Sequence, residues 1–134
     1  MNPNEMNGLT LAYMGDAVYE LYIREYAVGL GYSRVNDLHK IVTKFTSGNS
    51  QAAVIHDLLL NNLLTEEELA IFKRGRNSHV HTQRKNMELK DYLDATGFEA
   101  LIGYLYLTKN NSRIEEIVNI ALEKGGILNE KSKS

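Results

Sequence analysis

From residue 9 to residue 28, apolar side chains fall on every face of a helical wheel rather than along one stripe, and the run closes at Gly29 and Gly31. That pattern predicts a helix packed on most of its sides, with the two glycines as its stop signal. Gly15 lies inside it, at a point where the helix could kink or divide. Val35, Leu38 and Val42 recur at helical spacing over residues 35–45, and Ser33 is placed to cap their first turn. Ser47-Gly-Asn-Ser50 reads as a loop and cap before a helix over 52–60. Thr65-Glu-Glu-Glu68 has the form of a capping box and opens a helix that runs through Ile71 and Phe72 towards Gly75.

Residues 77–86 are polar and aperiodic, which predicts a loop. Two last helices are expected over 89–109 and 113–124, the second ended by Gly125-Gly126, and 129–134 as a disordered tail. Strand signals, internal repeats and interdomain linkers are missing from the pattern. The expected fold is all-α: one compact helical domain over residues 1–128, with six or seven helices.

Composition changes this picture little. A chain of 134 residues, 43% apolar and 24% charged, has the make-up of a single globular domain with a real core. The net charge of −2 means that attraction to nucleic acid must come from a local patch. Without cysteine there can be no disulfide or thiolate metal site, which fits a reducing compartment. No apolar run reaches the roughly 18 residues of a membrane span, and the N-terminus lacks the basic and apolar regions of a signal peptide. The expected location is the cytoplasm, with no membrane partner.

Two carboxylates interrupt the apolar pattern. Asp16 lies in Leu11-Ala-Tyr-Met-Gly-Asp-Ala-Val-Tyr19, and Glu99 in Ala95-Thr-Gly-Phe-Glu-Ala-Leu-Ile-Gly-Tyr-Leu-Tyr-Leu107. Both stretches read as helices buried on nearly every side, where a lone carboxylate is costly without protonation, a partner or a metal. No Lys or Arg stands three or four residues from either, so no intrahelical ion pair meets the charge. Taken singly, Asp16 reads equally as a cap after Gly15, and Glu99 as the hydrogen-bond partner of a tyrosine. If the two helices pack together, the charges repel by roughly 4 kcal/mol at about 4 Å and an effective dielectric of about 20. A divalent cation removes that repulsion. Carboxylate oxygens suit Mg²⁺ or Mn²⁺, which keep waters able to act as nucleophiles. The residues therefore suggest a metal-dependent hydrolytic centre at a helix–helix junction. Glu20, one turn beyond Asp16, is either a further acceptor or the solvated end of the face.

Lys73-Arg-Gly-Arg-Asn-Ser-His-Val-His-Thr-Gln-Arg-Lys85 carries five Lys or Arg and no acid. Arginine forks bind phosphate oxygens bidentately, and Gly75 would let backbone amides approach them. The candidate RNA contacts are Lys73, Arg74, Arg76, Asn77, Arg84 and Lys85. Lys73 and Arg74 also suit a helix C-terminus capped by a left-handed Gly75, an account that leaves Arg76, Arg84 and Lys85 unexplained. His79 and His81 have a spacing that zinc can use, but a solvated loop explains them as well.

Taken together, three motifs resemble ribonuclease III, most closely its short form, mini-ribonuclease III. They are Leu11-Ala-Tyr-Met-Gly-Asp-Ala-Val-Tyr-Glu20, Lys73-Arg-Gly-Arg-Asn77 and Gly97-Phe-Glu-Ala-Leu-Ile-Gly103. The resemblance covers almost the whole chain, in order. It implies that Asp16 and Glu99 are catalytic residues that hold Mg²⁺, with Mn²⁺ able to substitute. Full-length ribonuclease III has glutamates four and seven residues before the aspartate, where this chain has Ala12 and Leu9. It also has an aspartate three residues before the glutamate, where Thr96 stands. Asp94 is close to that lost position, but its side chain would point elsewhere on a helix. The short form resembles this chain in lacking the upstream glutamates.

The implied activity is Mg²⁺-dependent endonucleolytic cleavage of double-stranded RNA, with the precursor of large-subunit (23S) ribosomal RNA as substrate. A homodimer is implied, one site for each strand, and a ribosomal protein is a further candidate partner. The chain leaves no room for a double-stranded-RNA-binding domain, so affinity would come from the nuclease domain and its basic loop. The competing expectation is a non-catalytic RNA-binding or ribosome-associated module on the same fold.

Overall fold

The computed structural model of the protein describes residues 1–78 and 88–125. They form a short 3₁₀ turn, Pro3–Glu5, and six α-helices: α1 Gly8–Gly29, α2 Val35–Thr46, α3 Gly48–Leu60, α4 Glu66–Arg76, α5 Leu89–Leu107 and α6 Asn111–Lys124. No strand occurs among the described residues, and none of their helices is long and apolar enough to cross a membrane. Of the expected loop, residues 79–87 lie outside the described residues, and so do Gly126 and the expected tail.

Helix boundaries follow local chemistry. The Asn7 side chain accepts from the Thr10 amide at 2.8 Å and opens α1. Gly31, at φ +97°, takes the left-handed turn that ends it. The Thr65–Glu68 capping box forms as expected. Ser47 caps α3 through the Ser50 amide, so that helix starts at Gly48, earlier than its apolar run.

Three local expectations need correction. Gly15 does not divide α1, which runs unbroken from Gly8 to Gly29. Ser33 is not the cap of α2: Arg34 holds the N-cap position without a side-chain bond. Gly75 is not a left-handed cap but a buried residue inside α4. Without a Cβ, it lets α4 lie directly on Gly97 and Ala100 of α5.

Helix α5 runs through the middle of the domain and packs against α1, α3 and α4. Tyr19, Ile23, Phe98, Leu101, Ile102, Ile114 and Ile117 are fully buried around it. The Tyr19 and Phe98 rings meet edge to face at 5.0 Å between centroids. One polar clamp joins α4 to α6: Arg113 Nε donates to Glu68 Oε2 at 2.8 Å, and its Nη2 donates to Oε1 at 3.0 Å. Burial alone would push the Glu68 carboxyl up. The hydrogen bonds from Arg113 and from the Thr65 amide outweigh it and hold the group below its ordinary value.

Candidate active site

The α1–α5 crossing is set by two glycines. A Cβ at Gly15 would run into the carbonyl oxygen of Glu99, and one at Gly103 into the carbonyl oxygen of Leu11. Helix backbones therefore touch here with no side chain between them. Asp16 follows Gly15 directly, so the close approach brings it to the edge of α5 at Glu99. The two carboxylates line one cleft of about 40 Å³, together with Thr46, Gly48 and Gln51 from the α2–α3 junction and Tyr92, Ala95 and Thr96 of α5. No Lys or Arg is among those lining residues.

Burial differs from the sequence expectation. Asp16 is exposed and Glu99 half-buried. The face of α1 that carries Leu9, Tyr13, Ala17 and Leu21 is also exposed, so that helix is not packed on nearly every side. Its apolar excess made Asp16 look sealed in the core. In the core, the Tyr19 hydroxyl is buried without a hydrogen-bond partner among the described residues, and burial pushes its ionisation up. Glu20 pairs with Arg24 at 2.5 Å rather than turning to the cleft.

Two of the expected basic contacts, Arg74 and Arg76, have partners within the fold. Arg74 Nη1 donates to the backbone carbonyls of Asn4 at 2.9 Å and Met6 at 3.1 Å, tying down the N-terminus. Arg76 Nε donates to Asp94 Oδ1 at 2.7 Å. Lys73 is exposed, and Asn77 is the exposed C-cap of α4. Arg84, Lys85, His79 and His81 lie outside the described residues. Gly75 offers no phosphate cradle, since it is buried against α5.

Asp94 is the residue that sequence reasoning undervalued. It is 3% exposed, and its second oxygen, Oδ2, stands 2.7 Å from His56 Nε2, with Asp91 Oδ1 3.9 Å from the same nitrogen. His56, Asp91 and Asp94 are close enough to share a cation. Arg76 already supplies a positive charge there, however, so the group reads as an ion-paired staple of α3, α4 and α5. The sequence hinted at it only by placing an acid inside an apolar helix. The same signal was available for Gln51, a buried amide among Val54, Ile55 and Leu58 on the core face of α3.

Comparison with known proteins agrees with this architecture. The Ribonuclease III domain family matches residues 9–110. Mini-ribonuclease 3 of Enterococcus faecalis is 48% identical over 127 residues, covering 95% of this chain and 96% of the relative. Mini-ribonuclease 3 of Streptococcus pneumoniae is 44% identical over 121 residues, covering 90% and 94%. A crystal structure of a Fusobacterium nucleatum protein superposes with a TM-score of 0.82 at 34% identity, over 90% of this chain and 94% of that one. The chain belongs to the ribonuclease III family, in its mini-ribonuclease III branch. As such it is a hydrolase, an endoribonuclease.

Proposed function

We propose that this endoribonuclease cleaves double-stranded RNA at the cleft between Asp16 and Glu99. The observation that carries the reading is the pairing itself: two carboxylates from different helices, Asp16 of α1 and Glu99 of α5, border one small cleft. Such a donor set suits a hard divalent cation, Mg²⁺ or Mn²⁺, better than the His56–Asp91–Asp94 group, whose Asp94 is already neutralised by Arg76. A cation bound there would offset the repulsion between the carboxylates and the phosphate and would make water a better nucleophile. Asp16 and Glu99 are the residues proposed to hold it. The edge-to-face contact of Tyr19 in α1 with Phe98 in α5 ties together the two helices that carry them.

Duplex RNA in its A form is recognised through shape, phosphates and 2′-hydroxyls, so Lys73, with Arg84 and Lys85, is assigned to phosphate contact. Arg74, Arg76 and Asn77 are further proposed contacts, and the two arginines also hold the fold together. The 23S ribosomal RNA precursor is the proposed physiological duplex, a ribosomal protein a candidate companion, and the cytoplasm the place of action. These three rest on the family resemblance. The proposed assembly is a homodimer through the exposed apolar stripe of α1. The test is to incubate the purified protein with a duplex RNA, with and without Mg²⁺. Metal-dependent internal cleavage is expected; binding without cleavage in any divalent cation would return the chain to the non-catalytic reading.

A further inference from the structure

Gln51 supplies the amide in the wall of the Asp16–Glu99 cleft. It occupies a core position of α3 and is only 2% exposed. A buried amide persists in such a place at a cost unless both its ends are engaged. Its nitrogen is engaged: Nε2 donates to the Thr46 carbonyl at 3.3 Å, at the last turn of α2. That bond orients the amide, and its acceptor oxygen, Oε1, has no hydrogen-bond partner among the described residues. Thr96, on the opposite wall, turns its hydroxyl proton back onto the Tyr92 carbonyl at 3.0 Å and offers the cleft no donor. The cleft's volume of about 40 Å³ leaves room for ordered water.

We propose that Gln51 is a positioning residue for the attacking water, an inference that rests on Asp16 and Glu99 forming the hydrolytic centre. A water in this cleft has two protons to direct. A carboxylate oxygen accepts one hydrogen bond and Gln51 Oε1 the other, which turns a lone pair outward to the phosphate. In the hydrolysis, the water oxygen forms the new bond to phosphorus and one ester oxygen leaves with its bonding pair. That oxygen is protonated from solvent, and the attacking water loses a proton to solvent. The amide exchanges no proton; its contribution is alignment.

The test replaces Gln51 by Met, which keeps length and volume but removes the acceptor, with Gln51→Leu as a second apolar variant and Asp16→Asn as the reference. Four quantities are read: the saturated single-turnover cleavage rate, duplex RNA affinity, Mg²⁺ affinity by calorimetry, and the melting temperature. Gln51→Met is expected to lose at least tenfold in saturated rate, with RNA and Mg²⁺ affinities within twofold of the parent and a similar melting temperature. A rate within twofold of the parent overturns the inference. So does loss of folding in both apolar variants, which would make the amide a determinant of the fold. So does a parallel loss of Mg²⁺ affinity, which would place Gln51 among the supports of the carboxylates. If Asp16→Asn also cleaves normally, the hydrolytic centre itself is misplaced; if Asp16→Asn is inactive and Gln51→Met is not, only the role of Gln51 falls.

Discussion

At the residue scale, the carboxylates proposed for the chemistry, Asp16 and Glu99, are not the one that clamps the core, Glu68. Asp16 is exposed and Glu99 half-buried, so an amide of the same size can replace either without disturbing the sealed core. Asp16→Asn and Glu99→Gln are expected to lower cleavage by on the order of 10²-fold or more while melting within a few degrees of the parent. Because both are proposed to serve one centre, the double variant should be scarcely slower than either single one. Single-turnover rates and melting curves decide it, and a well-folded Asp16→Asn with near-normal cleavage would remove Asp16 from the chemistry. Glu68 is the opposite case, sealed in the core and clamped by Arg113. Its carboxyl titrates below its ordinary value, so the stability it contributes is fully present above about pH 4.5 and is lost as pH falls through the lower folded-state value. Glu68→Gln should cost ~1–3 kcal/mol at neutral pH. That gap from the parent should narrow as the pH drops below 4.5 in urea titrations; a gap independent of pH would show that the clamp is not ionic.

At the scale of elements, the site depends on how closely helices approach. The contact at Gly15 and Gly103 is backbone on backbone, so an added methyl has no rotamer by which to escape. Gly103→Ala should cost ~3 kcal/mol or more and abolish cleavage, because α1 and α5 must separate and carry Asp16 away from Glu99. Gly29 ends the same helix, and no neighbour lies within 4 Å of the position a methyl would take there. Gly29→Ala should therefore be neutral or stabilising by up to ~1 kcal/mol. Chemical denaturation of the two variants tests the contrast, and equal costs would refute it. Much of this element scale was legible in the sequence. Helical periodicity and the capping box depend on neighbours in the chain, and α4, α5 and α6 begin within a few residues of where those signals place them. The candidate cleft was legible through two of its lining residues, Asp16 and Glu99, since an acid in an apolar run stands out. Gly75 and Arg76 were misread because their partners, Ala100 and Asp94, come from α5 and are distant in sequence. His56 was passed over for the same reason, its partner being Asp94.

At the scale of the whole molecule, α1 faces two ways. One side, with Leu11, Tyr19 and Ile23, is sealed against the core. The other presents Leu9, Tyr13, Ala17 and Leu21, successive positions four residues apart, all exposed, with Tyr13 80% exposed. A continuous apolar stripe of this kind is costly to leave in water and marks a contact surface. Two-fold pairing is the simplest way to cover it, since a stripe on one helix can meet its own copy antiparallel. Tyr13 and Ala17 flank Asp16, so such pairing would set two clefts beside the two-fold axis, one for each strand of a duplex. Light scattering at micromolar protein should give twice the 15.2 kDa of one chain. Tyr13→Asp, which puts a charge in the middle of the stripe, should reduce the mass to that of one chain. Asp16, Glu99 and the core remain in place in this variant, so cleavage chemistry should survive in altered form. On a duplex labelled in both strands, the parent should cut both strands in one encounter and the variant should leave mostly single nicks. A parent that scatters as a single chain, or a Tyr13→Asp variant that remains paired, would mean that the stripe serves some other contact.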